Sequence, residues 1–404
     1  MTAWYDANGR RVVQNTYDSA NRVVKQIDLA GRASTIAYGS GLTRATDAAG
    51  RTTTYRYDGR GRTTAIEYPD GSKVSRAYGA NNTLASDEDG TYTYDAAGRM
   101  TSATSPDGHV TRMTWDGRGH MTSRTDPDGA TTRWTYDGKG NLLAETSPAS
   151  GTTTYTYDGM GRLTSATDAD GVRESYAWSG ANMTSKTTAA GKTTYAWDAM
   201  GRKVAETDPA GHTRKWVYDA MGRLVGERDA AGAYTAYQVD AMGFVLSATD
   251  AAGRKTSFSY DSAYNIASMT DAAGGVTRYA YDAAGNLVSR TDPSGAVWRY
   301  AYDKRDRLVA ETNPLGAVTR YAYDERGNVS RVESPDGAVE TAAYDDTYGI
   351  PLEYRDALGN ATAYEYSAAG LLTATARPDG AREETAWEPG GRQASHTDAR
   401  GATT

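Results

Sequence analysis

Residues 153–171 read TTYTYDGMGRLTSATDADG, and this stretch decides the fold of the chain. Tyr155 and Tyr157 lie two positions apart, the spacing that places both rings on one face of a β-strand. Residues 158–161 and 168–171 are turn signals, because Asp can accept bonds from backbone N–H groups and Gly can adopt a positive φ. Two turns in one unit predict two strands, and therefore a β-hairpin.

The unit recurs along the whole chain, marked by one anchor residue that is Tyr or Trp everywhere except at Val239. Fourteen of the 19 intervals between the 20 anchors are 21 residues long. We therefore predict one continuous array over residues 1–404, of about 20 units with a period of 21, belonging to a longer protein. The anchors are Tyr5, Tyr17, Tyr38, Tyr57, Tyr78, Tyr94, Trp115, Tyr136, Tyr157, Trp178, Trp197, Tyr218, Val239, Tyr260, Tyr281, Tyr302, Tyr323, Tyr344, Tyr366 and Trp387.

The repeated hairpin predicts an all-β fold. Successive hairpins form a long antiparallel ribbon, and accumulated sheet twist makes such a ribbon spiral into a curved or hollow shell. Paired rings, such as Trp216 with Tyr218 and Tyr300 with Tyr302, recur at each unit. We expect ladders of these rings to hold neighbouring strands together.

Composition excludes several classes of protein. The 404 residues carry a net charge of −7, with acidic and basic residues interspersed, which argues against a nucleic-acid partner. The absence of Cys excludes disulfides and thiolate metal sites. No stretch is apolar enough for a membrane span, and no export signal is visible in these residues.

No residue pattern predicts a catalytic, cofactor-binding or metal site. His109, His120, His212 and His396 lie in or beside turns without a second ligand or a nucleophile, and we predict that they are solvent-exposed. Asp87-Glu88-Asp89-Gly90 and Asp168-Ala169-Asp170-Gly171 could offer oxygen ligands to Ca²⁺, but neither matches a calcium-binding motif. Capping of turns is the favoured role of these carboxylates.

The repeats closely resemble the YD repeats of the Rhs family. The motif is carried by Tyr157-Asp158-Gly159-Met160-Gly161-Arg162-Leu163 and again by Tyr281-Asp282-Ala283-Ala284-Gly285-Asn286-Leu287. That family includes bacterial polymorphic toxins, the C components of insecticidal toxin complexes, wall-associated proteins and teneurins. The resemblance implies a β-sheet strip that spirals into a hollow shell, which in the bacterial toxins encloses a toxic domain.

The chain departs from the Rhs toxins in one respect. It lacks the block ending in Asp-Pro-x-Gly-Leu that marks the end of the shell and its self-cleavage site. Asp208-Pro209-Ala210-Gly211 and Asp292-Pro293-Ser294-Gly295 share only the turn, so no autoprotease is assigned.

We therefore predict a non-enzymatic shell segment, secreted or at the cell surface and without a cofactor. Its partners are the remainder of the polypeptide or an enclosed toxin or effector domain outside this chain. The alternative is an extracellular adhesin whose exposed rings bind a cell-surface glycan or protein. Self-association through unpaired terminal strands is a third possibility.

Overall fold

The β-strands and turns of the chain follow one another without helices throughout the part that the structure, a computed structural model, describes: residues 2–5, 11–28, 30–345 and 349–404. The first half contains β1 (Thr2–Tyr5), β2 (Arg11–Tyr17), β3 (Val23–Asp28), β4 (Ala33–Gly39), β5 (Leu42–Thr46), β6 (Thr52–Tyr57), β7 (Thr63–Glu67), β8 (Lys73–Ser75), β9 (Ala77–Tyr78), β10 (Leu84–Asp87), β11 (Gly90–Tyr94), β12 (Met100–Thr104), β13 (Val110–Trp115), β14 (Met121–Thr125), β15 (Thr131–Tyr136), β16 (Leu142–Ser147), β17 (Gly151–Tyr157), β18 (Leu163–Thr167), β19 (Arg173–Ser179) and β20 (Asn182–Thr188). The second half contains β21 (Gly191–Trp197), β22 (Lys203–Thr207), β23 (Thr213–Tyr218), β24 (Leu224–Arg228), β25 (Tyr234–Val239), β26 (Val245–Thr249), β27 (Lys255–Tyr260), β28 (Ile266–Thr270), β29 (Val276–Tyr281), β30 (Leu287–Thr291), β31 (Val297–Tyr302), β32 (Leu308–Thr312), β33 (Val318–Tyr323), β34 (Val329–Glu333), β35 (Val339–Tyr344), β36 (Pro351–Arg355), β37 (Ala361–Tyr366), β38 (Leu372–Ala376), β39 (Arg382–Trp387) and β40 (Gln393–Thr397).

The chain divides into two compact units. The first unit comprises residues 1–73, 178–185 and 191–319, and the second comprises 74–177, 186–190 and 320–404. Each unit contains a leading strip and a trailing strip in which every strand pairs antiparallel with its chain neighbours. In the first unit these strips are β1 to β7 and β21 to β32. In the second they are β9 to β19 and β33 to β40.

Turns alternate between the two edges of a strip, because consecutive strands run in opposite directions. Turns that follow an aromatic anchor, such as the one at residues 158–161, define the YD edge. The intervening turns, such as the one at residues 168–171, define the TD edge. Each strip therefore has two chemically distinct edges.

An aspartate closes most YD turns from within. The Gly161 N–H donates to Asp158 O at 3.0 Å, and Asp158 Oδ1 accepts from the N–H groups of Met160 and Arg162 at 2.9 and 3.0 Å. Gly161 has a φ of +78°, which glycine adopts without a Cβ penalty. Arg162 Nε then donates to Asp158 Oδ2 at 2.7 Å, and this guanidinium lowers the pKa of the Asp158 carboxyl.

The anchor ring ties many of the hairpins to the preceding hairpin. The Tyr302 hydroxyl donates to Leu287 O, 15 residues earlier, at 3.0 Å. Trp387 reaches Leu372 O through its indole Nε1 at 2.7 Å. The same bond recurs from Tyr38 to Val23, from Tyr136 to Met121, from Tyr218 to Lys203, from Tyr260 to Val245, from Tyr281 to Ile266 and from Tyr344 to Val329.

At several YD turns, the residue that ends the turn packs on the anchor ring 16 positions later. The Arg22 guanidinium lies 4.3 Å from the centre of the Tyr38 ring, and that of Arg202 lies 4.8 Å from the Tyr218 ring. Where arginine is replaced, the His120 ring takes the same place on Tyr136 at 4.7 Å. The predicted ladder of stacked rings is therefore corrected. Among the described residues, the contact that recurs is that of a turn-ending side chain with an anchor ring, and the hydroxyl or indole N–H of that ring donates to a backbone carbonyl.

Small residues occupy the best-buried positions. Ala65, Ser165, Ser247 and Ala374 lie at the centres of short strands and are at most 6% exposed. No side chain of the described residues is fully buried. Stability therefore comes from hydrogen bonding and half-buried rings rather than from a thick aliphatic core.

The prediction of an all-β array of tandem hairpins in long antiparallel sheets is confirmed by these strands and their pairing. Within the described residues, no helix could cross a membrane.

We expect Tyr302→Phe to lower the free energy of unfolding by about 1 kcal/mol, because the Leu287 carbonyl loses its hydroxyl donor while the ring remains. Urea denaturation followed by circular dichroism measures the change. Tyr300→Phe, on the same strand and the same face, is the matched control. Equal losses in the two variants would contradict the role of the hydroxyl bond.

We expect stability to fall in acid, because turn aspartates such as Asp58 and Asp158 have folded-state pKa values below the unfolded value of about 3.9. Their contribution is complete above that value and is lost as the pH drops through the folded pKa. The bond from His120 lowers the pKa of Asp116 to about 2, so its loss spans roughly pH 4 to 2. Thermal melts across this range test the prediction, and Asp116→Asn should reduce the slope. A melting temperature independent of pH would refute it.

Candidate functional site

The most elaborate arrangement of charged side chains lies where the two strips of the first unit meet, which we name the seam. TD turns of the leading strip, which begin at Asp28, Asp47 and Tyr68, face YD turns of the trailing strip at residues 282–285 and 303–306. The facing residues lie between 233 and 255 positions apart in the chain, the largest separation being that of Arg51 and Asp306.

Arg51 is the central contact of the seam. Its Nε caps Asp47 Oδ2 at 2.7 Å within its own turn, which leaves Nη1 to reach across to Asp306 Oδ1 at 2.7 Å and Lys304 O at 3.4 Å. The side chain is only 20% exposed. Bonding to Asp306, with a further contribution from Asp47, raises the pKa of the Arg51 guanidinium, so the cation is permanent.

Asp306 stands where the repeat normally has glycine. It keeps the left-handed turn conformation with a φ of +62°, which aspartate tolerates better than most side chains. Its carboxylate accepts from Arg51 and from Asn286 Nδ2 at 2.6 Å, and the bond from Arg51 lowers the Asp306 pKa. The departure from glycine therefore supplies the acceptor of the seam.

Two further arginines extend the seam on either side. Arg32 Nη1 donates to Ala283 O at 2.9 Å. Arg305, from the opposite strip, donates to Asp70 Oδ2 and Ser72 Oγ, each at 2.7 Å. The YD turns of the trailing strip thus lie between the TD turns of the leading strip.

A small open cleft of about 260 Å³ lies in the seam. Its charged lining residues, Asp28, Arg32, Asp47 and Arg51, are already bonded to one another or to Ala283 and Asp306. The charged groups that line the cleft are therefore paired with one another or with neighbouring residues, and their role is structural.

The second unit also brings a TD edge against a YD edge. The Gly390 N–H lies 3.4 Å from Asp128 Oδ2, 262 residues earlier. A Cβ added at Gly390 would come within 2.7 Å of Pro148 Cβ and 2.9 Å of Ala149 N, and the φ of Gly390 is +92°. Glycine is therefore required at this approach.

The four histidines have structural surroundings. The Nδ1 atoms of His120 and His212 lie 2.9 and 3.1 Å from the aspartates that begin their turns, Asp116 and Asp208. His109 lies 2.8 Å from Asp107, and His396 pairs with Thr385 Oγ1 at 3.1 Å in strand β40. The prediction of solvent exposure is right for His212, whereas His109, His120 and His396 are half-buried.

The candidate calcium ligands cap turns. Asp168 Oδ1 accepts from the N–H groups of Asp170 and Val172 at 3.1 and 2.8 Å. Asp87 Oδ1 accepts from Asp89 N–H and from the Tyr92 hydroxyl. Across the residues that the structure describes, no cluster of three or more metal-ligating side chains occurs.

Sequence comparison identifies the repeats. The family model for the RHS Repeat matches residues 39–73, 79–111, 115–151, 136–173, 179–213, 204–234, 239–277, 265–297, 281–318, 302–339 and 349–382. The chain belongs to the RHS repeat family. The predicted membership is thereby confirmed, and no curated protein matches the sequence.

Solved structures share the fold of these RHS repeats. A Tc holotoxin pore of Photorhabdus luminescens with a TccC3 mutation aligns with 97% of this chain at a TM-score of 0.70 and 16% identity. A TcdB2-TccC3-TEV structure gives the same values, and TcdB2-TccC3-Cdc42 aligns with 98% at a TM-score of 0.69 and 15% identity. The chain spans about a quarter of those chains, 26%, 26% and 28% respectively.

Sequence reasoning found the turns but missed the seam. Its signals were present: Asp306 replaces a turn glycine, and arginine follows the turn glycine at positions 32 and 51. Neither signal reveals which distant turn is the partner. The prediction that the chain has no catalytic, cofactor or metal residue stays a prediction.

We expect Arg51→Ala to destabilise the first unit by about 1 kcal/mol more than Arg254→Ala, because only Arg51 also bonds across the seam. The two residues end identical Asp-Ala-Ala-Gly-Arg turns, so the second variant subtracts the loss of the cap. Urea denaturation measures stability, and hydrogen exchange at residues 303–306 reports the seam. Equal destabilisation with unchanged exchange would show that the seam contributes nothing.

Proposed function

We propose that this chain is a structural wall segment of an RHS-type container, which surrounds a toxin or effector domain lying outside these residues. The single observation that carries the proposal is the edge-to-edge contact of strips in each unit. A container needs its strips joined along their edges, and Arg51 with Asp306 in one unit and Asp128 with Gly390 in the other provide such joints.

The use of the recurrent residues supports a passive role. The turn aspartates accept backbone and arginine bonds, as Asp158 does, and the anchor hydroxyls hold carbonyls, as Tyr302 does. The histidines bond turn aspartates or a threonine. These polar groups therefore serve to hold the wall together, and we assign any activity to the enclosed domain.

The comparison with Tc toxin assemblies supports the same proposal. The aligned chains belong to structures of a Tc holotoxin pore and of TcdB2-TccC3. Because this chain spans about a quarter of such chains, the rest of the wall and the enclosed domain would lie in flanking sequence. We propose secretion or cell-surface location for the whole polypeptide.

Protease protection in the native full-length polypeptide tests the container. We expect the domain that accompanies this segment to resist proteinase K at a dose that digests the same domain expressed alone. Arg51→Ala should increase cleavage by weakening the seam, whereas Arg254→Ala, which removes the same turn cap but no bond of this seam, should increase it less. Cleavage as fast as that of the isolated domain, together with binding to a glycan array, would instead support the adhesin hypothesis.

A further inference from the structure

The sequence Arg-Thr-Asp-Pro occurs twice at the same place in the repeat, and its two arginines have different surroundings. Residues 124–127 follow the middle of β14 in the second unit, and residues 290–293 follow the middle of β30 in the first. Arg124 Nε lies 2.8 Å from Asp126 Oδ1, and Arg124 Nη2 donates to Asp126 Oδ2 at 3.0 Å. Among the described residues, the Arg290 guanidinium has neither an ion pair nor a hydrogen bond, and its Nε is buried.

The tip of the turn after Arg124 leaves a carboxylate for that arginine. Asp128 Oδ1 accepts from the Ala130 N–H at 2.8 Å, so a residue within the turn satisfies the N–H that ends it. Asp126, which begins the turn, can therefore turn both of its oxygens towards Arg124.

The tip of the turn after Arg290 has the opposite effect. Ser294 replaces aspartate there, and its hydroxyl donates to Asp292 Oδ1 at 2.6 Å. The same oxygen accepts from the N–H groups of Ser294 and Ala296 at 2.9 and 3.0 Å. Asp292 is thus used within its own turn, and it interacts with Arg290 only through charge at longer range.

An aromatic ring holds the Arg290 guanidinium in place of a carboxylate. Arg290 Cζ lies 4.2 Å from the centre of the Trp298 ring. Trp298 and Tyr279 stand directly opposite Arg290 on the two neighbouring strands, and all three residues are half-buried. At the equivalent place in β14 the opposite residues are Met113 and Thr132. Cation–π attraction offsets part of the cost of removing the cation from water, but it supplies no hydrogen-bond acceptor.

We propose that Arg290 binds a carboxylate of an acidic peptide segment. Because Nε is enclosed, Nη1 and Nη2 are the donors that a ligand can meet, and this pair of nitrogens matches the two oxygens of a carboxylate. The ligand takes the place beside Arg290 that Asp126 has beside Arg124. A peptide fits better than a sugar, because the guanidinium covers the Trp298 ring on which a sugar would stack.

The source of the segment rests on the proposed function, whereas the site itself does not. A wall segment has the enclosed domain of the same polypeptide beside it, and we assign the acidic segment to that domain. Arg290 lies on a strand face, so the contact tethers the domain to the wall without using the strip edges, at which the wall joins to itself.

Titration of the 404-residue chain with a capped Gly-Glu-Gly peptide tests the site, with the indole N–H resonance of Trp298 in NMR spectra as the readout. Trp298→Phe identifies that resonance. We expect it to shift with a Kd on the order of 10 mM, and Arg290→Gln to weaken binding about tenfold. Arg124→Gln, at the same place in the repeat, should leave binding unchanged because its guanidinium is already paired. An unshifted resonance, or equal binding by the Arg290→Gln protein, overturns the site.

Two further ligands test the chemistry of the occupant. A capped Gly-Gln-Gly peptide should leave the Trp298 resonance unshifted, because the amide has no charge to pair with Arg290. Glucuronate should bind no more tightly than the Gly-Glu-Gly peptide. Tighter binding of glucuronate would overturn the assignment to a peptide, and equal binding of the glutamine peptide would overturn the carboxylate.

Photocross-linking in the native full-length polypeptide tests the source of the segment. With p-benzoylphenylalanine in place of Tyr279, opposite Arg290, we expect cross-links to an Asp- or Glu-containing segment of the enclosed domain. Arg290→Gln should lower their yield, whereas Arg124→Gln should not. Cross-links confined to the wall would overturn the assignment of the occupant. Protection from proteinase K without these cross-links would refute the occupant and leave the container standing, so the two failures are distinguishable.

Discussion

The structure depends on the carboxylate that begins most of its turns. In a turn such as residues 158–162, one oxygen of Asp158 accepts two backbone N–H groups and the other binds the arginine that ends the turn. This fixes the arginine side chain, which can then lie on the anchor ring of the next hairpin, as Arg202 lies on Tyr218. One local interaction thus sets both the reversal of the chain and the packing between repeats.

The fold was predictable because its determinants are local. The spacing of Tyr155 and Tyr157 and the Asp and Gly of each turn are visible within one unit, and the structure places them on strands and turns as expected. The contact that holds repeats together was not predicted, since period two shows which rings share a face and does not show what covers them. The bond from Tyr302 to Leu287 joins residues in different units of the repeat and leaves no signature in the sequence of either.

The candidate site was beyond sequence reasoning for a different reason. Arg51 and Asp306 lie 255 residues apart, and each belongs to a turn that looks like many others. Residues 47–51 and 250–254 have the same sequence, but Arg51 bonds to Asp306 across the seam, whereas Arg254 is exposed. Position along the strip, rather than local chemistry, decides which turn is bonded across a seam.

In the seam, a row of TD turns packs against a row of YD turns with a similar spacing, which limits how the chain can change in length. Duplication or loss of one whole hairpin between Arg51 and Asp306 would shift one row of turns by a single turn, and TD turns would still face YD turns. Addition of a single strand would instead exchange the edges, bringing YD turns to where TD turns belong. Evolution can therefore lengthen or shorten this protein in steps of one full repeat, with the particular side chains of the seam adjusted afterwards.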